Sequence, residues 1–301
     1  MPTNETTDCN DPDIYRDRLY ALAAPEDRSQ LEAAYALAAR AHSNQWRRVA
    51  SGVPPVPYIV HPLRVACILA EEWGCRDRRA LTACLLHDVL EDVPEADRAR
   101  YAQEIRKVAG KEVHDAIWTL TKPAPGPAEV KAARDARYFS ELRNAPRWVR
   151  LIKCADRVDN LRDARAWGDK AFWERYSSET IGWHLYLARE TAPIAEVALF
   201  GALVAGERDI RGRVPVWVDG HLVDPSAAAL IPEEIARHRH AIGLALRGDT
   251  LLVAMLDPDD EDCIITLGKI TGKRIAPVSV SAEGLRDAQV AGLFKRMKAE
   301  G

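Results

Sequence analysis

The stretch His87-Asp88-Val89-Leu90-Glu91-Asp92 decides how the rest of the chain is interpreted. It ends a long apolar run, so one imidazole and three carboxylates stand at the end of a hydrophobic helix. On a continuous helix, residues four positions apart share a face, which pairs His87 with Glu91 and Asp88 with Asp92. Crowded carboxylates beside an apolar run repel one another unless a positive charge lies among them. The stretch therefore predicts either a divalent-cation site or a solvated acidic helix end.

Length and charge narrow the class of protein. A chain of 301 residues has room for about two domains. The formal net charge of −3, with both signs mixed along the chain, gives no broad electrostatic footprint for nucleic acid. No apolar run approaches the length of a membrane span. The polar N-terminus shows neither a basic start nor an apolar signal core, so no signal sequence is expected. We expect a cytoplasmic protein with no nucleic-acid partner and no membrane span, and its six cysteines, which form no CxxC pair, are expected to be reduced thiols.

The apolar pattern changes once along the chain. From Pro12 to about Arg189 apolar residues recur at helical spacing, as in Gln30–His42. After Gly206, short β-like segments alternate with helical ones. The predicted fold class is mainly α: an all-helical domain followed by a small α/β module. The predicted limits are a flexible N-terminus at 1–12, the helical domain at 13–206 and the module at 207–301.

Three separated segments of the helical domain supply a candidate metal site. They contain His61, then His87 and Asp88, then Asp156. Two imidazoles and two carboxylates suit a borderline-to-hard divalent ion such as Mn²⁺, whereas zinc would more often recruit the cysteines. The alternative is a packed histidine at 61 and a surface carboxylate at 156 that pairs with a neighbouring arginine.

Several blocks of the chain resemble, in order, the HD-superfamily hydrolase domain of RelA/SpoT proteins. The blocks are Ala41-His42…Gln45-Trp46-Arg47-Arg48, Pro57-Tyr58-Ile59-Val60-His61-Pro62, His87–Asp92, Leu120-Thr121-Lys122 and Lys153–Arg162. The similarity covers roughly residues 28–190. It implies an all-helical HD domain that uses Mn²⁺ to remove the 3′-pyrophosphate of guanosine tetra- or pentaphosphate (ppGpp, pppGpp), leaving GDP or GTP. Such an activity lowers the alarmone level in the stringent response.

The resemblance also implies roles for individual residues. It makes His61, His87, Asp88 and Asp156 the metal ligands, and it makes Glu91 and Asp92 the residues that orient and activate the attacking water. The implied substrate-binding residues are Arg47 against guanine, Arg48 toward phosphate, Asn160 at the sugar or phosphate, and Lys153 and Arg157 beside the pyrophosphate. Solvated basic residues and surface ion pairs are the alternative for the cationic members of this set.

The chain departs from the RelA/SpoT pattern at three places. Residues 53–56 lengthen the Ser-Gly-x-Pro-Tyr loop, Asp163 stands where long RelA/SpoT proteins often have threonine, and nothing after Asn160 resembles the alarmone synthetase. The overall plan is similar to that of a small alarmone hydrolase. Two alternatives stay open: a phosphatase acting on another 2′- or 3′-phosphorylated nucleotide such as NADPH, and a non-catalytic alarmone sensor.

The C-terminal module has a resemblance of its own. The segments Leu230–Arg237, Gly248–Pro258 and Thr271–Val278 are similar to the N-terminal domain of type II secretion and pilus-assembly ATPases. Thr271-Gly272-Lys273 lacks the remaining glycine of a Walker loop. The resemblance implies a docking or regulatory role, with a possible protein partner bound through residues 207–301. An inert folded appendage is the alternative.

Overall fold

The computed structural model describes residues 10–124, 130–212 and 215–290. Its described residues form two compact units, each built from several chain segments. The first unit draws on Met1–Ala124, Tyr138–Gly168 and Leu187–Leu199, and the second draws on Pro125–Arg137, Asp169–Tyr186 and Phe200–Gly301. The expected fold class, an all-helical domain followed by a small α/β module, is confirmed. The linear limits 13–206 and 207–301 stay a prediction, and most of the 1–12 segment lies outside the described residues.

Helices dominate the described chain up to residue 211. Their bounds are α1 (Pro12–Leu22), α2 (Arg28–Ala41), α3 (Val60–Cys67), α4 (Arg78–Leu86), α5 (Val89–Asp92), α6 (Glu95–Leu120), α7 (Lys131–Asn144), α8 (Arg147–Trp167), α9 (Lys170–Glu179), α10 (Leu185–Thr191) and α11 (Pro193–Arg211). The two-residue strands β1 (Trp46–Arg47) and β2 (Val56–Pro57) pair antiparallel and close the Pro-rich loop between them.

Local capping fixes the helices that carry the candidate site. Helix α4 begins after Asp77, whose Oδ1 accepts the backbone N–H of Arg79 at 2.9 Å. Helix α8 ends at Gly168, which takes a left-handed conformation with φ of 68°. Helix α6 is interrupted at Gly110, where φ is 83°.

The core of the first unit holds α3 between α4 and α8. Leu63, Leu85, Ile105 and Cys154 are all 0% exposed. Packing of α3 on α4 and α8 places the first turn of α3 beside the middle of α8. Side chains from distant parts of the sequence therefore meet at this end of the core.

The expectation of one continuous helix through residues 87–92 is wrong. Helix α4 ends at Leu86, and a separate short helix, α5, begins at Val89. The carbonyl of Cys84, which would accept the N–H of Asp88 in a continuous helix, instead accepts the ring Nδ1–H of His87 at 2.7 Å. Competition by this side chain accounts for the division of the helix and leaves His87 and Asp88 at the turn.

The second unit contains the small sheet of the C-terminal module. Its elements are β3 (Trp217–Val218), β4 (His221–Leu222), α12 (Pro225–Ala228), α13 (Glu233–His238), β5 (Ala241–Arg247), β6 (Thr250–Met255), α14 (Glu261–Thr271), β7 (Arg274–Ser279) and α15 (Ala282–Val290). Strands β5 and β6 form an antiparallel hairpin, and β6 and β7 pair in parallel with α14 as the crossover. This alternation of strands and helices agrees with the pattern predicted after Gly206.

Close packing at Gly206, on α11, gives a stability prediction. A Cβ at this position would lie 2.0 Å from Cη2 of Trp173, whose ring is 0% exposed. The ring is held in place because its Nε1–H donates to Glu207 Oε1 at 2.8 Å. We expect Gly206→Ala to lower the free energy of unfolding by about 1–3 kcal/mol, measured by urea denaturation.

Gly201 on the same helix provides the matched control. A Cβ there would meet no atom within 4 Å. Gly201→Ala is therefore expected to raise the free energy of unfolding by about 0.5–1 kcal/mol, since alanine favours helix over glycine. Equal free energies of unfolding for the two variants would contradict the packing argument.

Two further expectations concern thiols and membranes. Cys67, Cys75, Cys84, Cys154 and Cys263 are free thiols, as expected, and Cys9 lies outside the described residues. Among the described residues, no helix combines the length and the apolar composition needed to cross a bilayer.

Candidate metal and active site

The sequence-predicted metal ligands converge in the first unit. His61 lies in the first turn of α3, His87 and Asp88 lie between α4 and α5, and Asp156 lies in the middle of α8. The ligand atoms of His61, His87 and Asp88 all lie within 4.8 Å of one another. Oδ1 of Asp156 lies 3.2 Å from His61 Nε2 and 3.9 Å from His87 Nε2. Three separate segments of the chain thus bring two imidazoles and two carboxylates together.

The Nδ1 atoms of both histidines already have hydrogen-bond partners. Nδ1 of His61 lies 2.6 Å from Asp159 Oδ2, and Nδ1 of His87 lies 2.7 Å from the carbonyl of Cys84. Ionised carboxylate and carbonyl oxygens only accept hydrogen bonds, so each Nδ1 carries the proton. In the neutral rings, both Nε2 lone pairs therefore face the space between the carboxylates.

These Nε2 atoms fit a metal ion. Both Nε2 atoms are buried and form no hydrogen bond with any residue that the structure describes. Oxygens of Asp88 lie 3.4 Å from Nε2 of His61 and 3.2 Å from Nε2 of His87. Ligand atoms about 2.1 Å from a metal and at right angles to one another lie about 3 Å apart. The spacing, the buried unpaired nitrogens and the mixed nitrogen and oxygen donors suit a divalent cation.

The electrostatics keep both carboxylates ionised. Burial alone would raise the pKa of Asp156, but Lys153 and the two histidines hold it well below its usual range. Burial likewise opposes ionisation of Asp88, and the adjacent His87 lowers its pKa overall. Burial alone would lower the pKa of His87. In the absence of a cation, the negative charges of Asp88 and Asp156 have the larger effect and raise this pKa well above its usual value. The site therefore attracts positive charge.

The two predicted water-handling residues lie on α5 and point to different neighbours. Glu91 is exposed, and its Oε2 accepts the backbone N–H of Lys122 at 3.1 Å. Asp92 is partly buried, and its Oδ2 forms no hydrogen bond within the described part of the chain. Burial, together with the charge of Asp88, raises the pKa of Asp92 to about 6. Asp92 consequently offers an acceptor oxygen next to the ligand cluster.

Arg47 and Asn160 are joined to α8 by hydrogen bonds. Arg47, on β1, donates from Nε and Nη2 to Asp163 Oδ2 at 3.0 and 2.7 Å, and from Nη2 to Asn160 Oδ1 at 2.7 Å. The amide of Asn160 donates to Asp156 Oδ1 at 2.5 Å. The guanidinium of Arg47 also lies over the ring of Tyr58, 5.4 Å from its centroid. The arginine predicted to meet guanine thus holds the β1–β2 hairpin against α8.

The other predicted substrate residues differ in exposure. The side chain of Lys153 is 15% exposed, and its Nζ lies 2.9 Å from Asp156 Oδ2. Arg157 is only 6% exposed. Arg48 is exposed, with its guanidinium 4.7 Å from the ring centroid of Trp167. Their roles toward a substrate stay predictions.

Comparison with known proteins places the chain in a family. Residues 34–182 match the HD domain. The MESH1 guanosine-3′,5′-bis(diphosphate) 3′-pyrophosphohydrolase of Xenopus tropicalis is 32% identical over 153 residues, which is 51% of this chain and 79% of that protein. The chain belongs to the MESH1/SpoT hydrolase family. The bifunctional (p)ppGpp synthase/hydrolase SpoT of Escherichia coli (strain K12) is 39% identical over 142 residues, 46% of this chain.

Coverage of these MESH1/SpoT relatives is uneven. The matched part spans only 18% of the length of the Escherichia coli SpoT. A solved structure described as a metazoan ortholog of SpoT is 23% identical, with a TM-score of 0.48, and covers 60% of this chain and 96% of that one. Residues 215–290 match the MshEN domain, in agreement with the second resemblance seen in the sequence.

Three residues of this MESH1/SpoT-family site were not assigned from the sequence. Asp159 receives the Nδ1–H bond of His61, and Tyr58 donates its hydroxyl to Asp88 Oδ2 at 2.8 Å. His42 is buried and stacks on Tyr58 with ring centroids 4.7 Å apart. All three lie in the quoted sequence blocks, and a metal-binding histidine usually donates its second nitrogen to an acceptor. That rule was the available signal for Asp159.

Proposed function

We propose that this chain hydrolyses the 3′-pyrophosphate of ppGpp and pppGpp, releasing GDP or GTP and pyrophosphate. One observation carries the proposal: the convergence of two unpaired imidazole nitrogens and two carboxylates beside Asp92. The relatives named as guanosine-3′,5′-bis(diphosphate) 3′-pyrophosphohydrolases support it. In a cell, this activity would lower the alarmone level.

His61, His87, Asp88 and Asp156 would hold the metal, which we propose to be Mn²⁺. When bound, such an ion supplies Lewis-acid charge for a phosphate oxygen and lowers the pKa of water. The protein contributes buried donors whose directions are fixed by Asp159, Cys84, Tyr58 and Asn160. Fixed donors of this kind need little rearrangement as the reaction proceeds.

Asp92 and Glu91 would handle the attacking water. The unpaired Oδ2 of Asp92 would accept a water proton, since it lies beside the ligands and has no hydrogen bond. Glu91 is tied to the backbone of Lys122, so it would orient water from the rim. Transfer of a water proton to the Asp92 carboxylate would let the water oxygen bond to phosphorus while the bond from phosphorus to the 3′ oxygen breaks. The departing 3′ oxygen would take up a proton from water and become the 3′-hydroxyl of GDP or GTP.

Positive residues around the ligands would receive the nucleotide. Arg48 is exposed beside β1, where its guanidinium would meet a phosphate that enters from solvent. Lys153 and Arg157 would offset the pyrophosphate charge from within α8. Contact of Arg47 and Asn160 with the nucleotide would require exchange of their bonds to Asp163 and Asp156.

Product analysis tests this proposal. The full chain, incubated with Mn²⁺ and ppGpp, is expected to release GDP and pyrophosphate in equal amounts, and removal of metal with EDTA is expected to stop release until Mn²⁺ is restored. GTP and NADPH at the same concentration serve as comparison substrates. Faster turnover of NADPH would contradict the substrate assignment, and binding of ppGpp without any turnover would contradict the enzyme assignment.

The module at 207–301 would dock a protein partner or regulate turnover. Its match to the MshEN domain over residues 215–290 supports a role as a separate folded domain. Ile265 and Ile270 on α14 are 54% and 42% exposed, which offers apolar contact area. The free thiols support the proposed cytoplasmic location, where reducing conditions prevail.

A further inference from the structure

A charged pair stands directly behind the candidate ligand His61. Oδ2 of Asp159 lies 2.6 Å from His61 Nδ1, and the same oxygen accepts Nη2–H of Arg64 at 2.9 Å. Nε of Arg64 lies 2.7 Å from the other oxygen, Oδ1. The side chains of Asp159 and Arg64 are 3% and 16% exposed, so solvent screens this pair little.

The pair is part of a closed ring of polar contacts. Asp163 accepts Arg64 Nη2–H on Oδ1 at 2.7 Å and binds Arg47 through Oδ2. Arg47 donates a hydrogen bond to Asn160, and Asn160 donates one to Asp156. The ring closes where Asp156 Oδ1 faces His61 Nε2 at 3.2 Å. A ligand on α3 and a ligand on α8 are therefore held by the same contacts.

We propose that Asp159, held in place by Arg64, is a positioning residue that directs His61 Nε2 toward the metal and strengthens it as a donor. The inference rests on the proposed metal role of His61. An acceptor on the far ring nitrogen fixes the tautomer and the ring plane, and a negative one increases donor strength. Arg64 balances the buried charge of Asp159, so the carboxylate stays ionised without a partner from solvent.

The position of Asp159 distinguishes this role from simple helix pairing. An ion pair between α3 and α8 needs only Arg64 and the carboxylates of Asp159 and Asp163. The contact between Asp159 Oδ2 and His61 Nδ1, at 2.6 Å, adds nothing to that pairing. It acts on the ring whose other nitrogen is buried without a hydrogen bond.

Metal affinity tests the inference in the full chain without nucleotide. Mn²⁺ binding is followed by the loss of the free-ion electron paramagnetic resonance signal. Asp159→Ala is expected to weaken binding by about 10- to 100-fold, and Asp159→Asn, which keeps an acceptor oxygen but not its charge, by about 10-fold. At saturating Mn²⁺, both variants should regain kcat with an unchanged KM for ppGpp, which a general folding defect would not produce.

A matched surface pair supplies the control. Glu190 binds Arg143 at 2.7 and 2.8 Å in the same unit, away from the ligands, and Glu190→Gln should bind Mn²⁺ like the parent. Mn²⁺ affinity within twofold of the parent for Asp159→Asn overturns the inference, whether or not Asp159→Ala folds. The proposed function fails separately, if the parent binds Mn²⁺ but releases no GDP from ppGpp.

Discussion

Replacing His87 by alanine is expected to remove Mn²⁺ binding and to lower ppGpp turnover by at least about 1,000-fold. The ring supplies one of the two buried Nε2 atoms that would bind the metal. Without it, the carboxylates of Asp88 and Asp156 would lose a neighbouring group that stabilises their negative charges. A metal ion contributes several kcal/mol to transition-state stabilisation, and each 1.36 kcal/mol corresponds to a factor of ten in rate. Calorimetric titration with Mn²⁺ and a GDP-release assay measure the two effects.

The control for this experiment is His114→Ala. His114 lies on α6 in the same unit, and its ring contacts Asp115 and Trp118. Its removal should leave Mn²⁺ binding and turnover close to those of the parent. Circular dichroism and thermal unfolding show whether the His87 variant is folded. A folded His87→Ala protein that retains full turnover would refute the metal assignment.

Replacing Asp92 by asparagine is expected to lower kcat by about 100- to 10,000-fold, the contribution typical of a placed general base. The Mn²⁺ affinity should change little, because Asp92 is not one of the proposed ligands. The amide removes the proton-accepting oxygen while it keeps the size of the side chain. Single-turnover kinetics with ppGpp at saturating Mn²⁺ measure the chemical step directly.

Asp97→Asn is the matched substitution outside the site. Asp97 lies in the first turn of α6 and pairs with Arg100 at 2.9 Å in an exposed position. This variant should retain the kcat of the parent. If Asp92→Asn also retained it, the water-handling role would pass to Glu91 or to another group, and the proposed assignment of Asp92 would be wrong.

Sequence patterns predicted the parts that local physics determines. Helical spacing up to about Arg189 predicted the helices of the first part of the chain, and the change of pattern after Gly206 predicted the strands and helices of the module. The grouping of His61, His87, Asp88 and Asp156 followed from donor chemistry and from the resemblance to a known family. Backbone preference and the chemistry of donor groups can be deduced from a single sequence.

Contacts that depend on helix packing could not be predicted from the sequence. His61 meets Asp159 across α3 and α8, and Arg47 meets Asp163 across the hairpin and α8. These pairs depend on the relative rotation of packed elements, which a helical pattern does not specify. The division at His87 was missed because a side chain, not a glycine or proline, competes for a helix carbonyl.

The pairing of Arg64 with Asp159 also restricts how this protein can change over evolutionary time. Loss of Arg64 alone would leave the buried carboxylate of Asp159 without its cation, at a cost of about 3–5 kcal/mol. Such a cost is comparable to much of the total stability of a typical domain. Loss of Asp159 would still leave Arg64 paired with Asp163 at 2.7 Å. We therefore expect that an uncharged residue at 64 would be tolerated only together with an uncharged residue at 159, whereas the reverse dependence would be weaker because Asp163 remains beside Arg64.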